Sequence, residues 1–301
     1  MPVFRRLPRL LLVLAAGGLS TIALAQASPV SPAVDSVCAF AARGIPARPA
    51  QARGGNAFAD SLAGLTEPER DRAIRDELLS GNLPPALRRV SPATVTGQGP
   101  DGTPVQLVLC VLADYLAVGA DLDALRVPMG LDSARAVAAG FGFTLPTRRM
   151  VDLIYRQATV QLLPQPLPAG EAMRSTATYR QHQALVEQQR AAVGALPGAL
   201  TAGHKKDLVI SERLWRQPDR VAIYGWHRRA DAPIQPLSTV HGARYADYSH
   251  GVRLVSETVL VDGLPRSIFD LLADPQWSSL LSDEGPLPHL LAWMQRGLAL
   301  R

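Results

Sequence analysis

The chain has 301 residues, of which 47% are hydrophobic, enough for one large domain or two small ones with a substantial core. Its formal net charge of +5 falls to +2 without the three arginines of an N-terminal export signal. A balance this close to neutral predicts neither nucleic acid nor an anionic membrane surface as a partner, and it leaves the oligomeric state open.

Residues 1–27 have the features of an export signal. Three arginines precede an apolar stretch over 10–24, and small residues around Ala25 and Ala27 form two cleavage sites. The stretch is too short and too rich in glycine for a good membrane span. We therefore expect an exported mature protein, periplasmic or extracellular, without a membrane span.

The two cysteines of the chain, Cys38 and Cys110, are predicted to form a disulfide, because exported proteins with an even number of cysteines commonly do so. The alternative is two buried thiols, since Cys110 lies in the apolar segment LVLCVL. Residues 28–56 lack a sustained period and are predicted to be a linker or N-terminal segment with one short helix around Cys38. Residues 57–301 then form a single domain.

The first firm element is a helix that begins after Thr66, where Glu69 completes a capping box, and ends at Gly81. A hairpin follows, with strands over 93–98 and 104–112 around the turn GPDG. A further short strand is predicted over 116–118.

Helices and then strands follow in chain order. Helices are predicted over 132–139, capped by Asp132 or Ser133, over 148–158, capped by Thr147, and over 175–193, with a strand over 159–163. Later elements are strands over 207–213, 220–226, 233–237 and 252–261, and helices over 267–272 and 288–298. Helices early and late with strands between them favour an α+β fold, with a mainly antiparallel sheet and helices packed before and after it.

Residues 203–253 contain four of the six histidines and both lysines of a chain that otherwise uses arginine. Because lysine has a compact ammonium that arginine cannot replace, its use at Lys205 and Lys206 suggests that these side chains fit a pocket or change their protonation state. A solvated turn is the alternative. The candidate catalytic residues of this segment are His204, Lys206, Asp207, His227, His241, Asp247, Ser249 and His250.

The spacing His241-x5-Asp247-x2-His250 provides three residues of the types that bind zinc. The pattern is loose, and the HExxH and HxxEH signatures of zinc peptidases are absent from the sequence. One hypothesis is therefore that these three residues bind zinc. The alternative is that the protein has no cofactor and that the histidines cap loops or bind backbone carbonyls.

Carboxylates and aromatic residues offer a different chemistry. An acid and base pair of the glycosidase type could be drawn from Asp152, Asp207, Asp247, Asp283 and Glu284. Candidate substrate-binding residues are Tyr224, Trp226, Tyr245, Tyr248 and Arg253. Such an aromatic patch can also be ordinary core.

The strand VAIYGWH followed by the segment YADYSHG resembles the permuted NlpC/P60-type papain-like peptidases over about 205–255. That family uses a cysteine nucleophile, whereas this chain has Tyr248 and Ser249 in the corresponding region, so no catalytic role is transferred. The blocks LPTRRMVD, GHKKD, VAIYGWH, PIQPLS and YADYSHGVRLV resemble an uncharacterised family of secreted bacterial proteins. That resemblance implies export and a polar pocket, but no reaction.

These patterns favour an exported hydrolase acting on a cell-envelope or extracellular polymer, peptidoglycan or polysaccharide, or on a smaller substrate. The alternative is a non-enzymatic protein that binds a sugar or a peptide. Because a short connection joins strands 207–213 and 220–226, we expect them to pair antiparallel. At least four of the eight candidate catalytic residues should then line one pocket, with His241, Asp247 and His250 among them.

Overall fold

Several helices begin at a residue whose side chain caps them. The computed structural model describes Met1 and residues 32–298, and the export signal lies outside the described residues. The described helices are α1 Pro32–Ala41, α2 Gly55–Ser61, α3 Glu67–Leu79, α4 Leu131–Phe141, α5 Arg148–Gln157, α6 Thr176–Ala192, α7 Arg213–Arg216, α8 Ile268–Ala273, α9 Ser278–Leu281 and α10 Leu290–Leu298. The capping box at Thr66 and the side-chain cap at Thr147 are both present, as predicted.

The cap of α4 differs from the prediction. Its N-cap is Gly130, not Asp132 or Ser133. The Ser133 hydroxyl donates to Asp71, 2.5 Å away, and Asp71 also accepts from the Gly130 backbone N–H at 2.8 Å. The Asp71 carboxylate on α3 thus accepts hydrogen bonds from the first turn of α4. This contact joins residues far apart in sequence, so the local sequence does not predict it.

The strands form two main sheets and two small ones. They are β1 Val90–Gln98, β2 Pro104–Leu112, β3 Ala117–Ala120, β4 Asp123–Arg126, β5 Phe143–Thr144, β6 Val160–Gln161, β7 Thr201–Ala202, β8 Lys206–Leu208, β9 Ile223–His227, β10 Pro233–Ser238, β11 His250–Gly251, β12 Val255–Val261 and β13 Leu264–Ser267. The larger sheet has the order β1-β2-β12-β13, with β5 also on β12, and all its pairs are antiparallel. The α+β prediction is therefore confirmed.

The hairpin β1–β2 is the centre of the core. Its register runs from Val90 opposite Leu112 to Gln98 opposite Pro104, around the predicted turn. From Leu107 onwards every residue of β2 is buried, because β1 and β12 pair with both of its edges and helices cover the sheet. The described residues 32–298 belong to one compact unit.

The predicted disulfide between Cys38 and Cys110 is present, with their Cα atoms 5.2 Å apart. It ties α1 to β2 across 72 residues of sequence. Ile45, which follows α1, is also fully buried, so the segment predicted as a linker contributes to the core. Within the described ranges, no helix is long and apolar enough to cross a membrane.

The second sheet positions the candidate site and has the order β10-β9-β8-β11. The antiparallel pairing of β8 with β9 agrees with the prediction, and Asp207 lies opposite Tyr224. The strand predicted over 207–213 is shorter, because the chain turns into α7 at Arg213. In addition, β11 pairs parallel with the other edge of β8, which places His250 beside Lys206.

Candidate functional site

The eight candidate catalytic residues divide between the two sides of the β8–β9–β11 sheet. Successive residues of a strand point to opposite faces, so Lys206 and Asp207 separate. We call the group around Lys206 the outer cluster, which consists of Lys206, Trp226, His241, Tyr245, Asp247, Ser249 and His250. The group around Asp207 is the inner network, which consists of Asp114, Tyr115, Asp152, His204, Asp207, His227 and Arg253.

Asp247 organises the loop of the outer cluster. Its Oδ1 accepts from the Ser249 backbone N–H at 2.7 Å and from the Ser249 hydroxyl at 2.6 Å, and its Oδ2 accepts from the Tyr245 hydroxyl at 3.0 Å. Burial alone would raise its pKa, but the nearby His250, the Ser249 hydrogen bonds and Lys206 together lower the pKa. The side chain is therefore a permanent carboxylate that fixes Tyr245 and the turn.

His250 lies directly behind this carboxylate, with Nε2 3.9 Å from Asp247 Oδ2. It is fully buried, and neither ring nitrogen has a hydrogen-bond partner among the described residues. Burial lowers its pKa to about 4, so the ring is neutral at physiological pH. A buried imidazole without partners is costly unless a further group completes its hydrogen bonds.

His241 is the imidazole of the outer cluster that reaches solvent. It is half-buried and stacks on the Tyr245 ring, with centroids 4.0 Å apart and planes 6° from parallel. Its ring centroid lies 6.0 Å from that of His250. Burial and then the charge of Lys206 lower its pKa, against the attraction of Asp247. The ring is thus an uncharged base at neutral pH, next to a cation.

Trp226 is buried and lies next to the half-buried Lys206. The Lys206 ammonium lies 4.9 Å from the centre of the Trp226 ring, within the range of a cation–π interaction. Trp226 has a φ of 57°, a region that bulky residues rarely adopt, and its indole N–H has no acceptor. Strain of this kind concentrates at functional sites. This N–H is thus a buried donor without an acceptor among the described residues.

The inner network is largely buried, although the Asp152 side chain is 25% exposed and Asp114 and Tyr115 line a cavity beside Arg126. Tyr115 donates to Asp207 at 2.8 Å, and His227 bonds to Asp152 at 2.9 Å while it stacks on Tyr155. Burial raises the pKa of Asp207 to about 6, against the lowering effect of Arg253. The space between Asp207 and His227 is too small for a water molecule. These groups therefore brace the sheet, and no substrate enters between them.

Asp114 anchors the other end of the inner network. Arg126 donates to it at 2.6 and 3.2 Å, and His204 Nε2 lies 3.2 Å from its Oδ1. Burial would raise the pKa of Asp114, but Arg126 and His204 hold it well below its usual range. Burial also lowers the pKa of His204 to about 4. Sequence reasoning missed Asp114 and Arg126. A carboxylate just after the apolar strand LVLCVL was the available signal.

Several predicted substrate-binding residues lie in the interior. Arg253 is 1% exposed and donates to the carbonyls of Leu112 and Thr201 at 2.7 and 2.5 Å. Tyr248 is also buried, with its hydroxyl on the backbone of Leu167. Tyr224 donates to Asp152 within the inner network. Of the five predicted residues, Trp226 and Tyr245 belong to the outer cluster.

The predicted zinc ligands His241, Asp247 and His250 lie near one another without converging. Across the described residues, no group of three or more histidine, cysteine, aspartate or glutamate side chains is arranged to hold a metal ion. The stacking of His241 on Tyr245 and the turn held by Asp247 use those side chains differently. None of the three lines the cavity beside Arg126, of about 290 Å³, or the cavity beside Trp293, of about 440 Å³.

Lys205 is a buried cation between the two groups. Its ammonium donates to the Tyr248 carbonyl, and it shares the interior with His182, whose ring nitrogens have no hydrogen-bond partner in the part of the chain that the structure describes. Burial lowers the pKa of Lys205 to about 7, and the charge of Arg126 contributes. Burial and Lys205 together lower the pKa of His182. His182, alone in a polar helix, carried no sequence signal for this position.

Replacing Lys205 with methionine is expected to stabilise the protein by about 2 kcal/mol at pH 7. The pKa of Lys205 is about 7 in the folded state against 10.5 in the unfolded state, so the unfolded chain binds more protons between those values. Wild-type stability should therefore rise from pH 7 to pH 10, and Lys205→Met should lose that rise. Urea unfolding at both pH values measures it. Lys206→Met is the comparison: burial also lowers the pKa of this half-buried lysine, so its loss should remove a smaller part of the rise. Equal pH slopes in wild type and Lys205→Met would contradict the prediction.

Comparison of the chain with protein-family models, with curated proteins and with solved structures gives no match.

Proposed function

We propose that this protein is an exported hydrolase that cleaves amide or ester bonds of a cell-envelope or extracellular polymer at the outer cluster. The observation that carries the proposal is a solvent-reaching histidine, His241, which is neutral at neutral pH and lies beside the Lys206 cation. Addition of water to a carbonyl group is catalysed by a base that accepts a proton from the water and by a cation that stabilises the negative charge on the carbonyl oxygen.

In this reaction the oxygen of a water molecule bonds to the carbonyl carbon, and His241 accepts the proton that the water loses. Negative charge develops on the carbonyl oxygen, where the ammonium of the half-buried Lys206 can stabilise it. The leaving amine or alkoxide then takes the proton back from His241. Asp247 holds Tyr245, and Tyr245 in turn orients His241 by stacking.

Glycosidic bonds are less well supported as the target. Glycoside hydrolysis generally requires two carboxyl groups that face the substrate, one of which has a raised pKa. The carboxylate of the outer cluster, Asp247, is 1% exposed and has a lowered pKa. Peptide bridges of peptidoglycan and ester groups on polysaccharides therefore suit the site better than the sugar backbone.

A binding protein without turnover is the second candidate. It is favoured by the burial of Asp247 and His250, which orient other groups and do not reach a substrate. Trp226, Tyr245 and the Arg174 guanidinium, 5.9 Å over the Tyr245 ring, would then be a recognition surface for a sugar or peptide with an acidic group.

The test is incubation of the mature protein with purified peptidoglycan and with esterified polysaccharides, with products read by mass spectrometry. We expect products that carry a new carboxyl group. His241→Gln should lower the rate about 100-fold or more, as expected for loss of a general base. Sedimentation with insoluble substrate should show unchanged binding by this variant. Arg228→Gln, at an exposed position near the site, is the matched control and should keep full activity.

Two outcomes would overturn the proposal. Binding of the polymer without any product would place the protein in the second class. Activity that survives in His241→Gln but is lost on treatment with a chelator would indicate metal chemistry in place of base catalysis by His241.

A further inference from the structure

A cavity of about 440 Å³ lies among α4, α7 and α10, and the outer cluster contributes no residue to it. Its volume is within the range of small-molecule sites, about 300–1,000 Å³. The walls include Arg135, Leu214, Trp215, His289, Trp293 and Arg296. Aromatic walls with a few cationic groups are the usual composition of a site for an anionic small molecule.

Arg135 has unused hydrogen-bonding capacity. The residue is 6% exposed, and its guanidinium lies 4.1 Å over the Trp293 ring. One of its nitrogens, Nη1, donates to Asp132 at 3.0 Å, whereas Nε and Nη2 have no partner among the described residues. Buried guanidinium N–H groups without acceptors are unfavourable, so an added acceptor would be bound strongly.

The charges around the cavity are unbalanced. Burial is the main cause that lowers the pKa of Arg135, and the nearby cation Arg296 lowers it further, against the effect of Asp132. The opposing carboxylate, Asp132, is 58% exposed at its side chain and therefore neutralises little. An anion bound between the two arginines would relieve this repulsion.

The aromatic groups define the shape of the ligand. Trp215 and Trp293 meet edge to face, with centroids 5.4 Å apart and planes at 62°. One face of Trp293 is covered by Arg135, while Trp215 is half-buried and lines the cavity. A flat ring can pack against Trp215 while an acidic group on that ring reaches the arginines.

We propose that this cavity binds a small aromatic carboxylate, with its carboxylate on Arg135 and Arg296 and its ring against Trp215. The proposal does not depend on the function proposed for the outer cluster, and its test uses no hydrolase substrate.

The probe is naphthalene-2-carboxylate, titrated into the full mature protein and followed by calorimetry. We expect saturable binding of one molecule per chain. Naphthalene-2-carboxamide, which has the same ring but no charge, should bind at least about tenfold more weakly. Acetate, which has the charge but no ring, should show no measurable binding at the same concentrations.

Variants locate the site. Arg135→Gln and Arg296→Gln should each weaken binding, Arg135→Gln by about tenfold or more, and Trp215→Leu should weaken it without changing the preference for the acid over the amide. Because Arg135 is buried, its variant may be compared only if its thermal unfolding resembles that of wild type. If Arg135→Gln unfolds at a different temperature, the variants at the exposed Arg296 and the half-buried Trp215 still test the proposal. Arg228→Gln is the control away from the cavity.

The proposal fails if naphthalene-2-carboxylate shows no saturable binding at millimolar concentrations, or if the amide binds as tightly as the acid. It also fails if Arg296→Gln and Trp215→Leu both bind the acid with the wild-type affinity, since binding would then occur elsewhere.

Discussion

Replacing both Cys38 and Cys110 with alanine is expected to lower the free energy of unfolding by about 4 kcal/mol in the chain-entropy description of disulfides. The bridge closes a loop of 72 residues, so its loss releases a large amount of conformational freedom in the unfolded chain. The melting temperature should fall by roughly 10 °C for a domain of this size. Urea unfolding under oxidising conditions measures the free energy directly.

A reductant provides the matched control for this prediction. Wild type with excess dithiothreitol should lose most of the same stability, and the double alanine variant should not respond to dithiothreitol. Both cysteines are buried, so the alanine variant also loses packing of the two sulfur atoms, whereas reduction keeps both side chains and isolates the effect of the covalent link. Wild-type unfolding that is insensitive to reduction would contradict the prediction.

Arg126→Met is expected to lower the free energy of unfolding by about 3–5 kcal/mol, because it leaves the carboxylate of Asp114 buried without its main partner. Arg126 contacts Asp114 through two nitrogens and also holds Glu187 at 2.6 Å. The double variant Arg126→Met with Asp114→Leu should recover much of this loss, since no charge is then buried alone. Chemical denaturation of the three proteins measures both effects.

The pH at which acid unfolding begins should also change in Arg126→Met. The pKa of Asp114 is depressed in the folded protein, so its stabilisation is present above pH 3.8 and is lost only as the pH falls through the lower folded value. Without Arg126 that folded pKa rises, and acid unfolding should begin at a higher pH. Arg156→Met, which removes an exposed ion pair with Asp231, is the control and should cost at most about 1 kcal/mol. Equal losses in the two variants would contradict the assignment of Arg126.

The division of residues 203–253 into two groups changes how this segment is interpreted. As a sequence it resembles one dense catalytic motif. In the structure Asp207, His204 and His227 support the sheet from within, whereas Lys206 and His241 are half-buried and reach solvent, with the buried Trp226 beneath the Lys206 ammonium. Asp247 and His250 belong to the outer cluster, but both are buried.

Local sequence was sufficient for features that depend on a few neighbouring residues. The capping box of Thr66 and Glu69 spans three residues, the cap of Thr147 spans three, and the turn at 99–102 joins two strands directly. Alternation and capping act within one or two turns of chain, so they are visible without knowledge of the fold. The disulfide was predictable for a different reason, since two cysteines permit a single pairing.

Only the tertiary structure decided which side chains meet across long separations. The parallel pairing of β11 with β8 brings His250 beside Lys206, and Arg126 reaches Asp114 from a separate hairpin. Alternation along β8 separates Lys206 from Asp207, although they are adjacent in sequence. Burial also determines chemistry: His250 and Lys205 have lowered pKa values because the fold surrounds them. Composition can place histidines and lysines in one segment, but the dielectric surroundings and partners that fix their roles come from residues far along the chain.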